Sequence, residues 1–592
     1  MTPRQTRRTR GRVASPRAGT VVLTEGTQVR SRSMWLMSFF AIAATLMLWR
    51  LAEVQIVQGP GLHAQAVAEH VANINLPAQR GLILDSEGQV LVANQTVYDV
   101  FADPAMIPAS ARPLYAHDLA PVLGMQVTTL EQLMSGQGQF VYLAKQVSAA
   151  TRVALDNLNL IGIGLIPDNK RVYQPSPVPG QSFAANLLGF VDANGNGKYG
   201  IEQYYNNLLT GTPGHQSVLH DLAGNAIQLS SEKYVAPKNG DNLQLALNSQ
   251  IQYWAEQILA NDVKASQSSS GEVIVLDTRT GGIAAMADYP SFNANQYWLA
   301  PYANLQNSAI SFLYEPGSVM KTVTFAGGLN TGVITPSTRY YDQPITIDGS
   351  TIQDWDRIAQ GWVTMQWVLD DSLNDGAINV QQRMGQNAFY ENLLAFGIGS
   401  PTGVDLPGEE NMPLPPQTQW QAINYATASF GQGIMVTPLQ MAAAVNAIAN
   451  DGVWIQPHAV DTITNPNTGK VTHFVPRTRR VMSVSAAKTE AVMMTHVVDD
   501  PGAEGVMAQI PGFKGEIAGK TGTASVAVNG VYGNNVIVSF AGFFPASNPQ
   551  YTILVVLNYP QETYVTREGA FLAAPAWKQL AELIINQYQI QP

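Results

Sequence analysis

Three places in the 592-residue chain put a lysine three positions after a serine: Ser230/Lys233, Ser318/Lys321 and Ser485/Lys488. A serine hydroxyl is a weak nucleophile at neutral pH and needs a base within hydrogen-bond reach to take its proton. A lysine one helical turn away can serve, provided its amine is neutral. The plainer interpretation, a helix-capping serine followed by an exposed lysine, is common, so spacing alone selects none of the three. Ser318 is set apart by the Pro316-Gly317 break before it, the apolar run VMKTVTFAGGL after it, and two downstream elements in fixed order. Ser372-Leu373-Asn374 is an S-x-N, and Lys520-Thr521-Gly522-Thr523 is a K-T-G-T that occurs once. No histidine lies near Ser318 to act as its base.

These side chains need elements to hold them. The Pro-Gly break predicts that a helix starts at Ser318, with Ser318 and Lys321 on one face. Residues 249–265 (SQIQYWAEQILANDVKA) read as a helix, and 271–290 (GEVIVLDTRTGGIAAMADYP) as a hairpin of apolar strands about Thr280-Gly281. Residues 535–560 (NVIVSFAGFFPASNPQYTILVVLNYP) give a second hairpin, and 574–589 (APAWKQLAELIINQYQ) a closing amphipathic helix. Strands at both ends with helical sequence between them predict an α/β (α+β) domain, an antiparallel sheet covered by helices, over residues 241–592. The turn chemistry of EKYVAPKNGDNLQLALN (232–248) marks its start. Residues 58–240 are expected to form a mixed, elongated, non-catalytic pedestal, with two strand-like runs in NINLPAQRGLILDSEGQVLVANQTVYDVFADP (73–104) and a helical stretch near 110–160.

Charge and hydropathy place the chain. Residues 1–33 hold eight arginines and one glutamate, a net +7, and leave the other 559 residues at −17. Between them MWLMSFFAIAATLMLW (34–49) carries no charge. Sixteen residues fall short of the ~20 that a bilayer core needs, but Arg50 can snorkel and the helix can run on through Val57. One membrane helix over 34–57 follows. The basic flank predicts a cytoplasmic tail over 1–33 and an acidic bulk outside the cytoplasm. A cleaved signal peptide fits less well, because the Ala-x-Ala at Ala41 to Ala43 lies inside the apolar run. The acidic bulk argues against nucleic acid as a partner, while the basic tail suits anionic lipid.

Cofactor signals dissolve on inspection. GNGKYG (195–200) has dinucleotide-type glycine spacing but sits in an Asp/Asn/Gly turn. DANGNGKYGIEQ (192–203) resembles a calcium loop, yet its twelfth position is Gln203 where a bidentate glutamate is needed. GEIAGKT (515–521) ends like a phosphate-binding loop but has Lys514 at the required first glycine. There is no cysteine, and the eight histidines form no H-E-x-x-H, so neither metal nor cofactor is expected.

The trio S-x-x-K, S-x-N and K-T-G, in that order, resembles the penicillin-binding proteins and class A β-lactamases. Nearly everything after residue 34 resembles a class B penicillin-binding protein, a membrane-anchored peptidoglycan transpeptidase. RGLILDSEGQVLV resembles that family's R-G-x-I-x-D-R-x-G-x-x-L segment, with Ser86 where arginine is usual, and LLGFVDANGNGKYGIEQYYNNLLTGTPG resembles its G-I-E segment. SFGQGIMVTPLQMAAAVNAIANDG (429–452) is also close to the family pattern, and Ser-Leu-Asn-Asp-Gly after position 371 favours the division-associated over the elongation branch.

The resemblance implies that Ser318 attacks the penultimate D-Ala carbonyl of a stem peptide and releases the terminal D-Ala. Lys321 is the implied base, made neutral by burial and by a nearby cation, Lys520. Ser372 would relay a proton to the leaving amine, Asn374 would bind the substrate amide, and Lys520, Thr521, Gly522 and Thr523 would hold the substrate carboxylate side. The backbone N–H groups of Ser318 and Thr523 are the implied oxyanion hole. No Glu-x-x-Leu-Asn element that would activate water is present, the nearest being ENLLA from Glu391, so β-lactams are expected to act as suicide substrates. A polytopic membrane glycosyltransferase and other division proteins are the implied partners. A β-lactam sensor would want a cytoplasmic effector larger than 33 residues, and a catalytically silent scaffold would not need the complete Ser/Lys/Ser/Asn/Lys set.

Overall fold

The computed structural model describes residues 26–63, 71–136, 138–219, 233–528, 531–561 and 566–592. Ser230 and most of the basic tail lie outside the described residues. Contacts divide the chain into two units, one of Met1–Asn75 with His215–Val235 and one of Leu76–Gly214 with Ala236–Pro592.

In the first unit, helix α1 (Gly26–Ala52) continues into a π-helical turn, Glu53–Val57. Ser33–Val57 is 25 residues with mean hydropathy 1.6, long and apolar enough to cross a membrane. At ~1.5 Å per residue it clears the ~30 Å hydrocarbon core. Its two charges near the end, Arg50 and Glu53, pair at 2.7 Å. Strands Val71–Leu76, Gly214–Leu219 and Lys233–Val235 form a small sheet.

The second unit holds two large sheets. One has seven strands: Val471–His473, Val460–Thr464, Asn242–Leu245, Ile83–Leu84, Val90–Ala102 and Val141–Val147 in spatial order, with Ile163–Tyr173 pairing on Val90–Ala102. The stretch near 110–160 is not wholly helical, since Val141–Val147 separates helices Arg112–Leu123 and Val127–Met134 from Ala149–Leu158. Ile83–Leu84 and Val90 onward turn at Gly88 (φ 84°), and Asn242–Leu245 runs parallel to Ile83–Leu84, so this sheet draws on chain from both sides of residue 240.

The other sheet positions the chemistry. Helix α2 (Ser249–Ala265) starts where the Asn248 side chain accepts the N–H groups of Gln250 and Ile251. Strands β1 (Ser270–Asp277), β2 (Ile283–Tyr289), β3 (Ala518–Val528), β4 (Val531–Phe544) and β5 (Tyr551–Asn558) pair antiparallel in the order β2–β1–β5–β4–β3. Along β1 alternate residues feed two cores: Val273 and Val275 pack in one, Ile274 and Leu276 in the other. Helices on both faces make this antiparallel sheet read as continuous apolar runs, where a one-sided sheet would alternate. Between the hairpins come α3 (Met320–Asn330), α4 (Met365–Asp370), α5 (Asn374–Met384), α6 (Pro438–Ala449) and α7 (Val484–Asp499), with α8 (Gly569–Tyr588) closing the chain. Every residue of α6 is buried, and its start is fixed by a Thr437/Gln440 capping box with Pro438 at the first turn. α8 lies with α2 against one face, where its buried Trp577 donates to Ile553 O at 3.1 Å.

Candidate active site

The expected helix start at Ser318 is displaced by two residues. Gly317–Val319 is a 3₁₀ turn and α3 begins at Met320. Gly317 takes φ 55°, and a Cβ there would meet Thr523 O at 3.0 Å, so the turn before α3 presses directly on the K-T-G-T strand. Gly522 allows the same approach from the strand side, since a Cβ would lie 2.4 Å from Ser539 Oγ and 2.9 Å from Val319 Cγ2. Ser372 sits in the turn between α4 and α5 with φ 58°, a left-handed conformation unusual for a serine.

Tertiary contact brings the three motifs together. Lys321, wholly buried, donates from Nζ to the Ser372 carbonyl, to Ser372 Oγ at 3.2 Å and to Asn374 Oδ1 at 2.9 Å. Lys520, also wholly buried, donates to the same Ser372 Oγ at 2.8 Å and to Thr521 Oγ1 at 3.1 Å. One hydroxyl therefore bridges two buried amines. Neither lysine donates to Ser318, which stands partly exposed in the wall of a cleft of about 510 Å³. The cleft is lined also by Ser372, Asn374, Thr521, Thr523 and the carboxylates Glu504 and Glu568. Burial, and then the Lys520 cation, push Lys321 down to about 7 against the opposing charges of Asp354, Glu504 and Asp371. Burial likewise pushes Lys520 down to about 8.

The remaining motif residues divide by exposure. Thr521 is buried, and its hydroxyl donates to Glu504 Oε2 at 3.3 Å, whereas Thr523 faces the cleft and accepts the Gly569 N–H at 3.0 Å. The Asn374 amide accepts from Lys321 and donates to Gln353 O at 3.2 Å, which leaves one N–H for a ligand. The competing Ser485 and Lys488 are exposed on α7 and do not line the Ser318 cleft; Lys488 borders a separate cavity of about 280 Å³. Trp355, Glu504 and Glu568 line the cleft without belonging to any motif, and nothing in their local sequence distinguishes them.

Residues 271–582 match the family described as the penicillin-binding protein transpeptidase domain, and residues 75–245 the penicillin-binding protein dimerisation domain. The first match spans more than half of the chain. The chain belongs to the class B penicillin-binding proteins. It is 30% identical over 559 residues to the peptidoglycan D,D-transpeptidase FtsI of Escherichia coli K12, covering 93% of this chain and 91% of that protein. Identity is also 30% to the penicillin-binding protein PbpB of Mycolicibacterium smegmatis, over 99% of this chain and 94% of that one. Among solved structures, penicillin-binding protein 3 of Mycobacterium tuberculosis superposes with TM-score 0.67 at 27% identity, covering 87% of this chain and 98% of that one. The same protein has been solved in complex with aztreonam and with ampicillin. In this penicillin-binding protein the R-G and G-I-E segments of the pedestal meet in space: Glu202, wholly buried, accepts from Arg80 at 2.6 Å and from Arg171 at 2.7 Å.

Proposed function

We infer that this chain is a peptidoglycan D,D-transpeptidase that cross-links stem peptides through an acyl-enzyme on Ser318 and acts in septal wall synthesis. The observation that carries the reading is the Ser372 hydroxyl held between two buried lysines at the edge of the cleft that contains Ser318. Lys321, held near neutrality, takes the Ser318 proton as Oγ attacks the penultimate D-Ala carbonyl. The C–N bond then breaks, and the proton passes through Ser372 to the departing D-Ala amine. An amine from a second stem peptide repeats these steps in reverse, forming the cross-link and returning the proton to Ser318. Thr523 and Thr521, backed by Lys520, receive the donor carboxylate, and Asn374 uses its remaining N–H for the donor backbone. β-Lactams acylate Ser318 by the same route and leave slowly. In this reading a non-catalytic pedestal spans 58–240 and catalysis belongs to 241–592, with strands Asn242–Leu245, Val460–Thr464 and Val471–His473 of the second part completing the pedestal's large sheet. The N-terminal tail lies in the cytoplasm, the catalytic unit outside it, and a membrane glycosyltransferase with other division proteins supplies and regulates the substrate.

A fluorescent penicillin added to the full chain in detergent tests the reading, with Ser318→Ala, Ser230→Ala and Ser485→Ala alongside and intact mass as readout. A slowly released adduct lost only in Ser318→Ala supports it. An unlabelled wild type, or labelling that survives Ser318→Ala, sinks it.

A further inference from the structure

The turn that carries Ser372 is held from behind by a segment in no motif. Asp354 Oδ1 accepts the backbone N–H of Asn374 and, at 3.1 Å, that of Asp375. Its neighbours extend the grip: Gln353 O accepts from the Asn374 side chain at 3.2 Å, and Trp355 Nε1 donates to Asp371 O at 3.2 Å. Gln360, a few residues on, donates to the Asp371 carboxylate. These contacts span 371–375, the stretch in which Ser372 adopts φ 58°. A left-handed serine persists only where its surroundings over-determine it. The Ser372 hydroxyl gains its place between Lys321 and Lys520 from that conformation.

We propose that Asp354 is a positioning residue for transpeptidation, fixing the Ser372 turn, and with it the Asn374 partner of Lys321, through two backbone N–H groups. This rests on the transpeptidase reading above. Two further carboxylates stand beside Asp354. Asp342, at the end of strand Arg339–Asp342, and Asp375, in α5, each bring a carboxylate oxygen within 4.8 Å of the others. All three are buried, and Asp342 Oδ1, Asp375 Oδ1 and the Tyr340 hydroxyl have no hydrogen-bond partner among the described residues. Burial drives Asp375 up to about 8, so a proton on Asp375 relieves like-charge repulsion at neutral pH, and burial raises Asp342 to about 6. The other charges facing the cluster are Asp356, Asp371 and, from α3, Lys321. Among the charges that resist the lowering of Lys321, Asp354 is the foremost, ahead of Glu504 and Asp371.

Backbone acceptor and charge separate by substitution. Asp354→Ala removes both acceptor and charge, whereas Asp354→Asn keeps an oxygen that can accept the two N–H groups and removes the charge alone. The measurement is the second-order rate of penicillin acylation of the full chain from pH 5.5 to 9, with thermal unfolding of each variant. Asp354→Ala is expected to slow acylation about 10- to 100-fold at pH 8, as misplacement of a reacting group does. Asp354→Asn is expected to recover most of that rate, with the acid limb of its profile moved to lower pH because Lys321 has lost an opposing charge. Wild-type rates in Asp354→Ala, or an Asp354→Asn rate no higher than that of Asp354→Ala, overturn the proposal. Both outcomes are read against a wild type that labels on Ser318, so they are distinct from failure of the transpeptidase reading, in which no adduct forms.

Discussion

Glu202 in the pedestal and Lys321 in the cleft are both wholly buried charged side chains, yet their surroundings are opposite. Glu202 lies between two guanidiniums: Arg80 reaches its carboxylate and its own backbone carbonyl, Arg171 its other oxygen, and the Tyr173 hydroxyl adds a bond at 3.3 Å. Arg80 in turn is satisfied by Asn206 and Thr210. Lys321 has no carboxylate bonded to it, and the next amine, Lys520, shares its hydroxyl partner. Burial favours the neutral form of either group; opposite charges packed against it offset that, and a like charge such as Lys520 adds to it. The first arrangement joins distant segments of the pedestal, and the second yields a base that is neutral near physiological pH.

The comparison breaks most visibly on rate. Lys321→Met should slow penicillin acylation by about 10³-fold, within the usual range for loss of a general base, while leaving thermal unfolding unchanged or raised. Should acylation persist near the wild-type rate, Lys321 is not the base. Glu202→Gln tests the opposite corner. Leaving two buried guanidiniums short of their counter-charge should cost about 3–5 kcal/mol of stability, read as a fall in denaturant midpoint, with the acylation rate of the folded fraction kept. Equal loss of stability in both variants would mean that the two constellations do not differ in kind.

Smaller effects sharpen the contrast. Gly522→Ala would drive a methyl against Ser539 Oγ and Val319 Cγ2, so it should destabilise by about 1–3 kcal/mol and slow acylation together. pH offers the mildest perturbation. Acylation should rise with pH through about 7 as Lys321 loses its proton. Stability should follow the same direction: both lysines drop from 10.5 in their ordinary state to about 7 and about 8 when folded, so the unfolded chain binds more protons between those limits. Their unfavourable contribution is fully present below pH 7 and fades as pH rises toward 10.5. Chemical denaturation at pH 7 and 9, in wild type and in Lys321→Met, isolates it: the pH gain should shrink in the variant.

How much of the site was legible in the sequence depended on how local its cause was. The membrane helix, the hairpin about Gly281 and helix α2 follow from runs of neighbouring residues, and α2 ends where its periodicity does. The α-helix starts two residues after Ser318, because a Pro-Gly break is compatible with either an α or a 3₁₀ first turn, and contact of Gly317 with β3 selects the latter. Asp354, Trp355 and Glu504 were invisible: each acts on a motif 16 to 21 positions away, with no periodicity or spacing to mark it.

The sequence by itself determined which side chains were available for chemistry, their order along the chain, the class of family they match and the single apolar span. Those are properties of residue type and near-neighbour spacing. Tertiary structure alone decided that Lys321 serves the Ser372 hydroxyl and does not donate to Ser318, that the buried Thr521 hydroxyl donates to Glu504 while that of the exposed Thr523 accepts the Gly569 N–H, and that Arg80 finds Glu202. Each of those outcomes depends on burial and on partners 17 to 148 residues distant, and the proton affinity of an amine is set by the charges and solvent packed around it, which no local pattern encodes.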